Sequence, residues 1–135
     1  MIEDKTLEFL VQTETAFAPE QSDPQEQKYV WSYDITIKNQ WDRIVQLLNR
    51  YWCVTDMSGR IEEVHGTGVI GLQPLIKPDR QFKYSSYCQL PTPQGTMEGH
   101  FVIQDLNEML FQVKIPKFIL SAPTHVTKWF RAKLH

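Results

Sequence analysis

Three glycines near the middle of the chain have a spacing that could hold a phosphate group. Residues 65–74 are HGTGVIGLQP, so Gly66, Gly68 and Gly71 form the pattern G-x-G-x-x-G. In dinucleotide-binding folds this pattern joins a strand to a helix, and the N–H groups at the helix N-terminus bind the pyrophosphate. A glycine-rich loop without a helix can also direct successive backbone N–H groups toward an anion. Both kinds of phosphate site therefore have to be considered.

The residues after the motif exclude its dinucleotide-binding form. Pro74 and Pro78 prevent a regular helix after Gly71, and residues 86–94 contain no acid that could bind a ribose. The Gly-Lys-Ser/Thr ending of a P-loop is missing as well. Two interpretations stay open: an anion-binding loop, or a close crossing of two chain segments that requires positive φ. The bases that could assist an anion-binding loop are Arg60, Lys77 and Arg80.

The other residues that could bind a metal or take part in catalysis are scattered along the sequence. The four histidines and two cysteines form no C-x-x-C, H-x-x-x-H or H-E-x-x-H pattern, so the sequence predicts no metal site. Ser85 and Ser86 lie in a strand pattern instead of a G-x-S-x-G turn. No catalytic triad or carboxylate pair can be assembled. We therefore expect a non-enzymatic protein without a cofactor.

The elements that position these residues are strands, because apolar and polar residues alternate with a period of two. In residues 28–38 one parity carries Tyr29, Trp31, Tyr33, Ile35 and Ile37, which indicates a strand with one buried face. Residues 44–56 are apolar on both parities, which indicates a central strand or one with a bulge. Alternation recurs in residues 7–12, 82–90, 97–103 and 109–115.

Turn residues separate these strands and set the fold class. Residues 56–59 (DMSG) fit a short hairpin turn in which Gly59 takes positive φ. About seven short strands in roughly 120 residues predict an all-β fold, an antiparallel β-sandwich of the immunoglobulin-like kind. We assign residues 1–120 to this single domain and residues 121–135 to a basic C-terminal tail.

Length and composition predict a soluble protein without a membrane span. The chain has 135 residues, a net charge of −2 and a pI of about 6.1. A DNA-binding domain usually has a clustered basic stripe and a pI above about 9, so nucleic acid is not an expected partner. The start MIEDK is unlike a signal peptide, and no apolar run approaches the roughly 18 residues of a membrane span. We expect a cytoplasmic location, with Cys53 and Cys88 reduced instead of paired.

Aromatic residues supply the candidate partner-binding positions. Trp41 lies between two predicted strands, where it could anchor a partner or cover the end of the sandwich. In the tail, Thr124 could begin a short helix with Val126, Trp129, Phe130 and Leu134 on one side. That helix could dock on the body, or the tail could be an arm that binds a partner or self-associates, through Trp129 and Phe130.

Several motifs in one register resemble the ApaG family over about residues 5–120. The most specific is residues 62–71 (EEVHGTGVIG) with Pro74. The others are residues 33–39 (YDITIKN), residues 48–52 (LNRYW), Thr55-Asp56 with Gly59, Phe82-x-Tyr84-x-Ser86, Gly95-x-Met97-x-Gly99, and Ile115-Pro116-x-Phe118-x-Leu120. The tail after Leu120 departs from the family pattern.

This resemblance implies a fibronectin-type-III-like sandwich and little biochemistry, since the bacterial family has no established activity. Related domains in some F-box proteins and in a polymerase-interacting protein of eukaryotes imply a protein–protein interaction module with an unidentified protein partner. Gly66, Gly68 and Gly71 match a family motif discussed as a pyrophosphate or nucleotide binder, which implies a phosphate-containing ligand as the alternative. Some bacterial members also carry a name linked to divalent-cation (cobalt or magnesium) tolerance.

Overall fold

Two β-sheets face each other in the computed structural model, which describes residues 2–133 apart from the side chains of Trp129, Ala132 and Lys133. The strands are β1 (Glu3–Asp4), β2 (Phe9–Phe17), β3 (Tyr29–Asn39), β4 (Val45–Asp56), β5 (Ile61–Thr67), β6 (Leu75–Ile76), β7 (Gln81–Leu90), β8 (Gln94–Asp105) and β9 (Leu110–Ser121). The helix α1 spans Thr124–Lys133, and short 3-10 turns lie at Thr6–Glu8, Pro19–Gln21 and Pro24–Glu26.

The strands pair as a sandwich. One sheet has the order β1-β9-β8-β4-β5, with β6 beside the start of β4, and the other has the order β2-β3-β7. All these pairs are antiparallel except β1 with β9. Seven strands have seven or more residues, while β1 and β6 have two each. The predicted antiparallel sandwich of about seven strands is confirmed.

The core lies between the sheets and follows the period of two. The five apolar residues of β3 that share a parity are all buried. In β4, Val45 and Leu47 face the core, and a bulge between Leu47 and Asn49 then shifts the facing parity by one. Trp52 and Val54 consequently face inward. The sequence indicated a central strand or one with a bulge, and β4 is both.

Two hairpin turns have the same construction. In the first, Asp56 Oδ1 accepts the N–H groups of Ser58 and Arg60 at 2.9 and 3.0 Å, and Gly59 has φ +88°. In the second, between β8 and β9, Asp105 Oδ1 accepts two N–H groups at 2.9 and 3.0 Å, and the residue with positive φ is Glu108. The turn predicted at residues 56–59 is confirmed.

The tail helix docks on the sandwich. Phe130 is only 9% exposed, and its ring meets the buried Tyr29 ring edge-on at 6.0 Å between centroids. Ala122 is buried and Val126 packs against the same core. This arrangement corresponds to the docked alternative for the tail, and Phe130 is not on the surface where a partner could bind it. The side chain of Trp129, and the whole of Leu134, lie outside the described residues. Within residues 2–133 no helix is long and apolar enough to cross a membrane.

Candidate functional site

The segment of residues 65–80, called the glycine loop below, leaves β5 through a tight turn. Val69 and Leu72 exchange two backbone hydrogen bonds, with N···O distances of 2.8 and 2.9 Å. Between them Ile70 and Gly71 both have positive φ, at +44° and +76°. Two consecutive positive φ values are the signature of a type I′ turn, which suits the twist of antiparallel chains. Gly71 is therefore needed for the turn.

The other two glycines permit close approaches. A Cβ atom on Gly68 would lie 2.1 Å from the carbonyl oxygen of Leu72, and Gly68 also has φ +62°. A Cβ atom on Gly66 would lie 2.4 Å from the guanidinium of Arg50. Of the two interpretations of the motif, the close chain crossing describes this geometry.

The backbone N–H groups of the motif do not converge on an open point. The N–H of Gly68 donates to the carbonyl of Leu48 at 2.6 Å, and those of Val69 and Leu72 donate within the turn. An anion nest needs successive N–H groups that point at the ligand. Three N–H groups of this segment are thus committed to the backbone.

The predicted bases are spread along the molecule. Arg60 precedes β5, whereas Gly66 lies near its end, so the two are about 20 Å apart along an extended strand. Lys77 and Arg80 form a turn of their own beyond β6, where Arg80 N–H donates to the Lys77 carbonyl at 3.0 Å. The structure does not gather Arg60 with the glycines.

The base that lies beside the glycines is Arg50, which the sequence did not indicate as a site residue. It is the cross-strand neighbour of Gly66, and its Nη1 donates to the carbonyls of Gly68 and Thr67 at 2.8 and 3.3 Å. The signal that could have found it is the bulge in β4, which turns Arg50 to the inward parity of a strand beside a glycine.

The glycine loop carries an exposed apolar surface on a fixed base. Val69 and Ile76 are fully buried, at 0% and 1% exposure, and hold the loop to the sandwich. Ile70, Leu72 and Leu75 are 57%, 51% and 63% exposed. Clustered apolar side chains on a rigid loop are typical of a surface that contacts another molecule.

Asn39 connects this loop to Trp41. Its buried amide nitrogen donates to the carbonyl of Ile76 at 3.0 Å and to that of Arg43 at 2.7 Å. Its amide oxygen accepts the backbone N–H of Trp41 at 2.9 Å. Sequence reasoning included Asn39 in a family motif without giving it this role.

Trp41 covers one end of the sandwich. Its half-buried ring meets Phe111 edge-on at 5.0 Å. Lys5 and Arg43 lie over the ring at 4.9 Å each, which is cation–π geometry. This position corresponds to the covering alternative, and it leaves part of the ring in solvent.

An aromatic row crosses β5, β4 and β8. The Tyr51 ring lies 4.8 Å from the His65 ring and 5.0 Å from the His100 ring. A hydrogen bond to the Glu63 carboxylate raises the pKa of Tyr51 to about 12. Burial, with a smaller effect from His65, lowers the pKa of His100. Within residues 2–133 no group of three His, Cys, Asp or Glu side chains could hold a metal ion.

The two cysteines form no disulfide, and the thiol of Cys88 has a raised pKa. Cys53 and Cys88 are both free thiols, as the sequence predicted. Burial, and secondarily the charge of Glu62, raises the pKa of Cys88 to about 11. A thiol with a raised pKa is protonated at neutral pH and is a poor nucleophile.

Comparison with known proteins gives one consistent result. The ApaG domain model matches residues 19–105. Protein ApaG of Mesorhizobium japonicum is 47% identical over 113 residues, covering 84% of this chain and 87% of that protein. Protein ApaG of Agrobacterium fabrum is 44% identical over 118 residues, covering 87% and 91%. The crystal structure of the ApaA protein from Bordetella pertussis has a TM-score of 0.83 at 39% identity, covering 92% of this chain and 99% of that one.

Proposed function

Because the chain belongs to the ApaG family, we propose that it is a non-enzymatic binding module that presents its glycine loop to another protein. The observation that carries this proposal is the exposed set Ile70, Leu72 and Leu75. These side chains project from a loop whose base is buried in the sandwich, so the surface is rigid before binding. A rigid surface loses little conformational entropy on association.

Backbone strain at the loop tip supports the same assignment. Ile70 has φ +44°, which a β-branched residue adopts only at a cost of about 1–2 kcal/mol. Strain of this kind is concentrated at functional sites, where the surrounding structure enforces it. An asparagine or glycine would suit a type I′ turn better. The isoleucine therefore supports a role for its exposed side chain.

A matched pair of variants tests the proposal. Leu72→Ser with Leu75→Ser removes two of the three exposed apolar side chains while the buried Val69 and Ile76 stay in place. Leu106→Ser is the control, because Leu106 is 73% exposed in the β8–β9 turn. We expect cross-linking and mass spectrometry from cell extracts to yield a partner with the wild type and the control and to lose it with the double variant. A partner that all three proteins retain would refute the assignment to this loop.

Trp41 is the second surface to be tested in the same experiment. Because the Trp41 ring packs on Phe111, Trp41→Ala also reduces stability, so Trp41→Phe is the informative change. If Trp41 contributes to the interface, Trp41→Phe weakens partner recovery while the melting temperature stays close to that of the wild type. Recovery at the wild-type level would confine the interface to the glycine loop.

The alternative function, phosphate or nucleotide binding by Gly66, Gly68 and Gly71, has weaker support. A phosphate group would have to bind without the N–H groups of Gly68, Val69 and Leu72, which already donate to backbone carbonyls. Calorimetry with pyrophosphate and ATP, with and without Mg²⁺, tests it directly. Saturable heat below about 1 mM ligand would support it, whereas no heat at about 1 mM ligand would exclude a site of useful affinity.

A further inference from the structure

A cleft lies between the two sheets, lined by residues of β4 and β5 from the first sheet and of β7 from the second. Every residue of β5 except Gly66 is exposed, because the three-stranded sheet does not cover it. The cleft has a volume of about 360 Å³. Its walls include Arg50, Trp52, Val64, Ile70, Tyr84 and Ser86.

Arg50 brings a positive charge into this cleft without a counter-ion. The residue is half-buried, and within residues 2–133 no carboxylate lies at ion-pair distance from its guanidinium. The hydrogen bonds it makes there run from Nη1 to two backbone carbonyls. A guanidinium has five N–H donors, so most of them are free for another acceptor. A partly desolvated charge is stabilised most by an opposite charge.

Two residues of the cleft lining carry further donors that have no acceptor. The Tyr84 hydroxyl and the Trp52 indole N–H are buried and have no hydrogen-bond partner among the described residues. Buried polar groups are nearly always bonded, so such groups call for a partner. Glu62, the acid in the lining, is the cross-strand neighbour of Val54, about 13 Å along β4 from Arg50. The lining around Arg50 therefore carries positive charge, and two residues of the same lining hold unpartnered donors.

We infer that this cleft is a binding site for a small organic anion. Its carboxylate or phosphate group pairs with Arg50, because both groups are acceptors that match the guanidinium fork. Its apolar or aromatic body lies against Trp52, Val64 and Ile70, which form the apolar wall. A volume of about 360 Å³ fits a ligand of one or two rings. This site does not depend on the proposed protein partner.

Gly66 has a specific part in this site. A Cβ atom at residue 66 would come within 2.4 Å of the Arg50 guanidinium, so the absence of a side chain leaves room for that group. The clashing atoms belong to the end of a flexible side chain, so Gly66→Ala moves the guanidinium while the fold remains. Gly66→Ala therefore displaces the positive charge of Arg50 without removing it.

The test uses three simple probes and NMR spectra of the full chain. Benzoate and phenyl phosphate carry the two kinds of anion on one ring, and benzamide is their neutral counterpart. We expect one or both anions to shift the Trp52 indole N–H and the amides of Gly66, Gly68 and Ile70 saturably, with a dissociation constant of about 1 mM, as suits a ligand of this size. Comparing the two anions identifies the preferred head group, and benzamide should cause no saturable shift.

Three variants locate the site. Arg50→Gln should weaken anion binding at least about tenfold, and Gly66→Ala should weaken it in the same direction. Arg60→Gln is the matched control, since it removes an equal charge at the other end of β5 and should leave binding unchanged. Leu72→Ser with Leu75→Ser should also leave it unchanged, because of the three exposed apolar residues of the glycine loop Ile70 alone lines the cleft.

The inference is overturned by any of three results. One is the absence of saturable shifts up to about 20 mM of either anion. Another is equal binding of benzamide. The third concerns the variants. If Arg50→Gln folds, wild-type anion affinity in that variant overturns the inference. If it does not fold, wild-type affinity in Gly66→Ala overturns it.

Discussion

At the scale of single residues, a positive φ is unfavourable for residues with a Cβ atom and acceptable for glycine. Gly59, Gly68 and Gly71 take positive φ without steric cost, whereas Ile70 and Glu108 take it as residues with a Cβ atom. Glu108 occupies in its turn the place that Gly59 occupies in the matching one. Ile70 differs from Glu108 in being β-branched and apolar, and its exposed side chain lies on the glycine loop.

Replacing Ile70 should therefore stabilise the protein. Asparagine adopts positive φ readily, so Ile70→Asn is expected to raise the free energy of unfolding by about 1 kcal/mol. Urea unfolding followed by tryptophan fluorescence measures this change.

The control is Leu72→Asn, which alters an equally exposed neighbour without positive φ and should change stability by less than about 0.5 kcal/mol. An Ile70→Asn protein less stable than the wild type would show that the side chain's contacts outweigh the strain.

At the scale of elements, two local features determine which side chains meet: the bulge in β4 and the docked helix α1. The bulge in β4 turns Arg50 toward the cleft while Tyr51 stays on the outer face with His65 and His100. The helix α1 closes the sandwich near Tyr29 through Phe130. In both cases a local irregularity decides which side chains meet.

The docked helix should be a measurable part of the stability. Phe130→Ala removes a buried ring and is expected to lower the free energy of unfolding by about 3 kcal/mol. His125→Ala, at an exposed position of the same helix, should change it by less than about 0.5 kcal/mol. Thermal and urea unfolding of both variants provide the comparison. If Phe130→Ala and His125→Ala unfold alike, the helix does not contribute through docking.

At the scale of the whole molecule, the outer face of the larger sheet couples stability to pH. The rings of His65, Tyr51 and His100 form one row across three strands. Burial lowers the pKa of His100 in the folded state below its ordinary value of 6.5. The unfolded chain therefore binds a proton at His100 more readily than the folded chain does.

It follows that stability is retained above the unfolded pKa of about 6.5 and declines as the pH falls through and below it. The melting temperature should be lower at about pH 5.5 than at about pH 7.5. His100→Gln should reduce this difference, because it removes the group that the unfolded state protonates. His125→Gln, in the exposed part of α1, should leave the difference as it is. A pH profile unchanged by His100→Gln would contradict the assignment.

The sequence by itself determined the sandwich, the family and the turn at residues 56–59, all of which are confirmed. For β4 it left a central strand and a bulged strand open, and the strand is both. These features follow from alternation and turn residues that act over a few positions. Only the tertiary structure decided which charge stands beside the glycines. Proximity in sequence suggested Arg60, but an extended strand separates residues six apart by about 20 Å, and the cross-strand register of β4 brings Arg50 to Gly66 instead. Register and edge position depend on how whole strands pair, so no local pattern could supply the cleft between β5 and β7.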